Sequence, residues 1–192
     1  MNQLFLVAIP TGPVLELAKD LREKINNEFH LYSWIEPSLH ATIEVLKIEN
    51  NEDLKECEQI ISSIVDKFKS FTLEVKGFEF FPPPHKAITL AIRDNYFIEN
   101  LSYLIHEQLQ AKGLTSRENF SGWKFHITIA GVFGADREWS EEEFYRASEM
   151  VNDISVQGRC VIERLELWRP IISSEKKIIQ TFNLKRAADT EE

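Results

Sequence analysis

His40-Ala41-Thr42-Ile43 and His126-Ile127-Thr128-Ile129 are two copies of one pattern, an imidazole and a hydroxyl separated by one residue within a run of β-formers. Side chains alternate faces along a strand, so His40 and Thr42 share a face, as do His126 and Thr128. Ala41, Ile43, Ile127 and Ile129 turn to the opposite, packed face. Imidazole titrates near neutrality and serves as general acid or general base. A neighbouring hydroxyl donates to an oxyanion. Two such pairs facing one another suit in-line displacement at phosphorus, with one imidazole at the entering oxygen and the other at the leaving oxygen. A single His-x-Thr is an ordinary accident of composition, but its recurrence at equivalent positions makes a constellation.

The elements that must carry these residues recur in the same order. Leu4 to Ile9 is a continuous apolar run closed by Pro10 and reads as a buried strand. Pro13 suits the first turn of a helix with the stripe Val14, Leu17, Ala18, Leu21 and Ile25. Pro37 keeps the approach to the first His strand, 40–48, out of helix. A second helix buries Leu54, Cys57, Ile60, Ile61, Ile64, Val65 and Phe68, and a strand from Phe71 to Phe81 ends in Pro82-Pro83-Pro84. The order then restarts. A strand spans 87–92, and a helix spans 97–111 with Phe97, Ile98, Leu101, Leu104, Ile105 and Leu109 inward. The second His strand, 125–133, follows. A helix opened by the capping box Ser140-Glu141-Glu142-Glu143 comes next. A long strand, 156–168, returns through 171–175 as a strand over 177–184. Residues 187–192 read as a frayed acidic tail. The expectation is an α+β fold: a duplicated two-lobed domain of antiparallel sheets with flanking helices, half-repeats of about 1–83 and 84–186, and a pseudo-two-fold axis at a central cleft.

Composition narrows the partners. A net charge of −9 with no concentrated Lys/Arg segment disfavours a grip on long nucleic acid, which draws on a basic stripe. A short, locally held phosphate ligand needs no such field. No apolar run approaches the roughly 20 residues of a membrane span. Residues 1–10 lack the features of a signal peptide, so a cytoplasmic monomer is expected. Cys57 and Cys160 stand alone, without metal-knuckle or redox spacing. No metal site is expected, because two imidazoles converge without a third His or a closely spaced carboxylate. There is neither a marked Ser or Cys nucleophile nor a glycine-rich phosphate loop. Among the other histidines, His30 falls near a helix end, His106 borders an exposed helix face, and His85 follows the three prolines in a loop.

At its paired His-x-Thr strands the sequence resembles the two-histidine (2H) phosphoesterase superfamily, and within it the 2′,5′ RNA ligase and cyclic phosphodiesterase branch. The likeness extends over Leu4-Phe5-Leu6-Val7-Ala8-Ile9-Pro10, the approach from Trp34 to His40, and Gly77-Phe78-Glu79-Phe80-Phe81-Pro82. It continues through Phe125-His126-Ile127-Thr128-Ile129-Ala130 and Leu165-Glu166-Leu167-Trp168. The resemblance implies a cofactor-free, metal-independent phosphodiesterase acting on 2′,3′-cyclic phosphates or 2′,5′ linkages, in small nucleotides or at RNA ends. His126 would activate water, His40 would protonate the departing 3′ oxygen, and Thr42 and Thr128 would hold the phosphate. The alternative is a module that binds a nucleotide or cyclic phosphate without turnover.

The sequence also departs from the branch. Where many members carry a base two residues after each Thr, Glu44 and Ala130 stand here, and Phe125 replaces a proline. These changes and the acidic composition point to short substrates. Lys124, Arg169 and Lys177 are candidates to supply positive charge. Trp34, Phe81 and Trp123 are candidates either to stack on a base or to pack in the core. Period two puts Glu44 on the face of Thr42 and His40, where it either sustains a protonated His40 or pairs with a cation at the cleft rim.

Overall fold

β-Formers and apolar periodicity become seven strands and four helices in the computed structural model, which describes residues 2–33, 37–94, 96–171 and 177–186. In chain order these are β1 (Asn2–Thr11), α1 (Val14–Phe29), β2 (Ala41–Ile48), α2 (Asn51–Val65), β3 (Phe71–Phe81) and β4 (Ala87–Asp94). They continue as α3 (Tyr96–Gln110), β5 (His126–Ala130), α4 (Glu141–Asn152), β6 (Gln157–Trp168) and β7 (Ile178–Asn183). The Ser140 cap behaves as its sequence implies: its hydroxyl takes the Glu143 N–H while the Glu143 carboxylate takes the Ser140 N–H. Cys57 and Cys160 are buried free thiols. Pro10 does not end β1, which runs on to Thr11. The β1–β6 register slips between Ala8 and Pro10, and a slip of that kind accommodates a residue without an N–H.

All ladders between strands are antiparallel, and the path is β2-β1-β6-β3-β4-β5, with β7 also on β6. The pairing is symmetric. β1 with β2 corresponds to β4 with β5, β1 with β6 corresponds to β4 with β3, and the axis falls between β3 and β6. Long β6 joins the lobes: its first half pairs with β3, its second half with β7, and β1 runs along its other edge. The two His strands are therefore the two ends of the path. The helices cross over as well, α1 packing on β5 and β6, and α3 on β2 and α2.

Each His strand carries a bulge immediately after its threonine. Val7 pairs with Thr42 but Leu6 with Glu44, leaving Ile43 as the extra residue. Thr89 pairs with Thr128 but Ile88 with Ala130, leaving Ile129 as the extra residue. A bulge shifts the alternation by one. Ile43 and Glu44 are consecutively buried, as are Ile129 and Ala130.

This corrects the placement of Glu44, which strict period two directs into the cleft. Beyond the bulge it turns to the helix-covered side and is wholly buried. Its carboxylate accepts from His106 Nδ1 (2.8 Å), Thr115 Oγ1 (2.9 Å) and Arg117 NH1 (3.3 Å). His106 is corrected with it. It occupies the buried face of α3 beside Ser102, whereas Phe97 and Leu104, expected inward, are 51% and 39% exposed. The inward stripe is rotated toward two polar residues because Glu44 and the carbonyl of Ile43 need donors there. Trp34, residues 172–175 of the returning connection and the tail 187–192 lie outside the described residues.

Removing one member of a buried ion pair strands the other without solvent. Glu44→Ala is expected to destabilise the protein by about 3–5 kcal/mol, read from urea denaturation. A loss within experimental error of zero would contradict the burial of this cluster.

Candidate active site

Both catalytic candidates are held in the same way. His40 Nδ1 lies 2.7 Å from the Ser38 carbonyl and His126 Nδ1 lies 2.9 Å from the Lys124 carbonyl, in each case two residues upstream. A carbonyl only accepts, so Nδ1 carries the hydrogen and Nε2 is left for proton transfer. Each ring rests against the last residue of the strand that closes the other half-repeat. The Trp168 ring, ending β6, meets His40 at 4.7 Å between centroids, and the Phe81 ring, ending β3, meets His126 at 4.9 Å. Phe81 is thus a support for an imidazole. Trp123 is turned toward β2, its Nε1 donating to the Thr42 carbonyl at 3.2 Å, with the Arg117 guanidinium 4.0 Å from its ring centre.

His40, Thr42 and Thr128 line one cleft of about 200 Å³, with aromatic walls from Phe5, Tyr32, Phe133 and Trp168. His126 precedes Thr128 on the same face and is near enough for its charge to bear on His40. Burial pushes His40 down to about 4, opposed by its bond to Ser38 and reinforced by Lys177, Arg22 and His126. Burial also lowers His126, while the Lys124 carbonyl and Glu79 work the other way. The rings are alike in support but differ in charge: cations face His40 and a carboxylate faces His126.

Of the cationic candidates, Arg169 and Lys177 reach the cleft. Lys124 instead pairs with Glu79 at 2.8 Å. His30 is the left-handed C-cap residue of α1, as its position near a helix end suggests, and His85 is exposed in the β3–β4 turn.

Two residues that bind the strands together were missed. Arg22 is 4% exposed and donates to the carbonyls of Ile129 (2.6 Å) and Thr128 (2.8 Å) and also to that of Pro37. Its signal was an arginine on the inward stripe of α1, between Leu21 and Ile25. The Tyr32 hydroxyl donates to the Gly131 carbonyl and accepts the Gly131 N–H, clamping the end of β5; no pattern in the sequence announced it.

The seven-stranded antiparallel sheet carries a His-x-Thr strand at each end of its path. Solved structures share the fold. E. coli LigT in apo form superposes with a TM-score of 0.67 at 14% identity, covering 96% of this chain and 98% of that one. TT0787 of Thermus thermophilus gives 0.65 at 16%, with the same coverage. The MHV ns2 PDE domain gives 0.55 at 16%, covering 83% and 90%. The model of the AKAP7 2′5′ RNA ligase-like domain matches residues 3–165, and the chain belongs to that family. LigT has also been solved in complex with 3′-AMP (TM-score 0.62, 15% identity, 96% and 99% covered). Among the described residues no helix is long and apolar enough to cross a membrane.

Lysine cannot reproduce the planar fork that serves three carbonyls at once, and a buried unpaired acceptor costs about 1–3 kcal/mol. Arg22→Lys is expected to cost about 2–4 kcal/mol of stability, measured by chemical denaturation. A cost below about 0.5 kcal/mol, the level of an ordinary surface change, would show that the three bonds do not hold the strands.

Proposed function

We propose that this protein is a metal-independent phosphodiesterase that hydrolyses 2′,3′-cyclic phosphates or 2′,5′-linked nucleotides by acid–base catalysis between His40 and His126. The observation that carries the reading is the matched pair of imidazoles, each presenting Nε2 with Nδ1 anchored to a backbone carbonyl. Binding alone needs donors; two rings held in the same tautomer, His40 lining the cleft and His126 within electrostatic reach of His40, suit a proton entering on one side and leaving on the other. The aromatic walls fit a nucleoside, and the complex of LigT with 3′-AMP supports a nucleotide ligand.

In this reading Thr42 and Thr128 donate to the non-bridging oxygens. One imidazole takes a proton as the water oxygen bonds to phosphorus, the P–O3′ bond breaks, and the other imidazole gives its proton to O3′, leaving a 2′-phosphate. The charges favour His40 as the neutral base and His126, beside Glu79, as the acid. That is the reverse of the roles implied by resemblance. An aryl phosphodiester separates the two assignments, because a good leaving group needs no acid. Turnover of such a substrate should be restored in His126→Ala and not in His40→Ala; the opposite pattern would reverse the roles again.

Each single alanine variant is expected to lose about 10²–10⁴ in kcat on a 2′,3′-cyclic nucleotide, with chelator present throughout. The double variant should lose far less than the product of the two, since the rings act as one unit. Full turnover in either single variant, or turnover abolished by chelator and restored by metal, would refute the mechanism.

The pH profile follows from the lowered imidazoles. A base with its pKa lowered to about 4 fails only below that pH, and an acid lowered beneath the ordinary 6.5 is deprotonated before neutrality. The kcat/KM profile is expected to peak on the acidic side of 6.5 and to decline through neutrality, its limbs belonging to the pair. A plateau extending beyond about pH 8 would contradict it.

A further inference from the structure

Trp168, Arg169 and Lys177 lie beyond residues 3–165, the span that the family model matches, yet all three line the cleft on the His40 side. They form a built apparatus. Glu166, 6% exposed, accepts from Arg164 Nε and from Trp168 Nε1, both at 2.8 Å, which fixes the indole ring. The indole meets the His40 ring and carries the Lys177 ammonium 3.4 Å from its ring centre. The backbone closes the arrangement, with the Arg169 N–H donating to the Lys177 carbonyl at 2.8 Å.

Lys177 is only 5% exposed. Among the described residues its ammonium donates no hydrogen bond and has no carboxylate at ion-pair distance. The carboxylate that acts on it most, Glu166, is already engaged by two donors. A cation–π contact satisfies charge but none of the three N–H donors of an ammonium. With its stem packed over Trp168 and its ammonium opening on the cleft that Thr42 and Thr128 also line, Lys177 is placed to donate to an anionic acceptor.

We propose that Lys177 is an anion-binding residue of this cleft, its ammonium donating to a non-bridging oxygen of the reacting phosphate on the His40 side. The proposal rests on the reading of Thr42 and Thr128 as the phosphate cradle, and adds a charged third donor to it. A second effect follows from position. Lys177 just before β7, Arg22 of α1 and His126 of β5 all place positive charge toward His40, and only the Ser38 carbonyl opposes them. Lys177 thereby helps to keep the His40 ring free to accept a proton.

The test uses the full chain, inorganic phosphate as the probe, and two variants. Lys177→Met keeps the length and burial of the stem over Trp168 but removes the charge; Lys177→Arg keeps the charge. Calorimetric titration is expected to show phosphate binding weakened about tenfold or more in Lys177→Met, the scale of a charge-assisted hydrogen bond, and largely kept in Lys177→Arg. The His40 ring resonances should titrate at higher pH in Lys177→Met than in the wild type, and unchanged in Lys177→Arg. Unchanged phosphate affinity in Lys177→Met overturns the proposal, as does a loss that Lys177→Arg shares in full. Failure of the catalytic reading is separable. Wild-type protein that binds phosphate through Lys177 but turns over no nucleotide would sink the acid–base pair alone.

Discussion

One guanidinium holds the site in register. The sheet is open, and its two ends carry the two halves of the catalytic constellation, so nothing in the strand ladders themselves brings β2 and β5 to a defined separation. Arg22 does so from α1, a helix that lies on β5 although it follows β1. Its fork takes the carbonyl of Pro37, on the approach to His40, together with those of Thr128 and Ile129. The planar geometry of arginine makes these bonds mutually dependent, which a flexible ammonium could not achieve.

The bulges explain why side-chain donors are needed at all. An extra residue after each threonine disturbs the ladder and frees backbone carbonyls. On β5 those carbonyls go to Arg22. On β2 the Ile43 carbonyl goes to Ser102 and Arg117, and the Thr42 carbonyl to Trp123. Glu44 in turn neutralises Arg117 inside the protein. The same local irregularity is thus accommodated by one arginine at each site, delivered from unrelated parts of the chain. Backbone geometry is symmetric about the cleft, while the charges that surround the two imidazoles are not.

What was legible in the sequence were features that depend on short-range periodicity: the two His-x-Thr faces, the helices as amphipathic runs, the Ser140 cap, and β3 from end to end. What escaped were features set by a single residue out of phase or by a distant partner. Strict alternation carried one position too far put Glu44 in the cleft, because Ile43 and Ile129 look like ordinary strand residues and nothing in their side chains marks a bulge. His106 then followed Glu44 to the buried face. Arg22 stands on the inward stripe of α1, but its importance depends on carbonyls more than a hundred residues away. Lys177 stood out in the sequence only as a candidate source of positive charge, and only the folded chain sets it against Trp168 and His40.

The strand path is also a statement about divisibility. β3 closes its ladder on β4, and β6 closes on β1, so each run of three strands lends its third member to the other run. A chain cut in the turn between Phe81 and Ala87 would separate two pieces of similar length, each with a bare hydrogen-bonding edge and an orphaned apolar helix face. Neither piece contains a whole lobe, and each is the missing complement of the other. Chemically, the cleft belongs to no single piece: an imidazole from one fragment and an imidazole from the other meet only when both are present, as in a domain-swapped dimer that happens to be written on one chain.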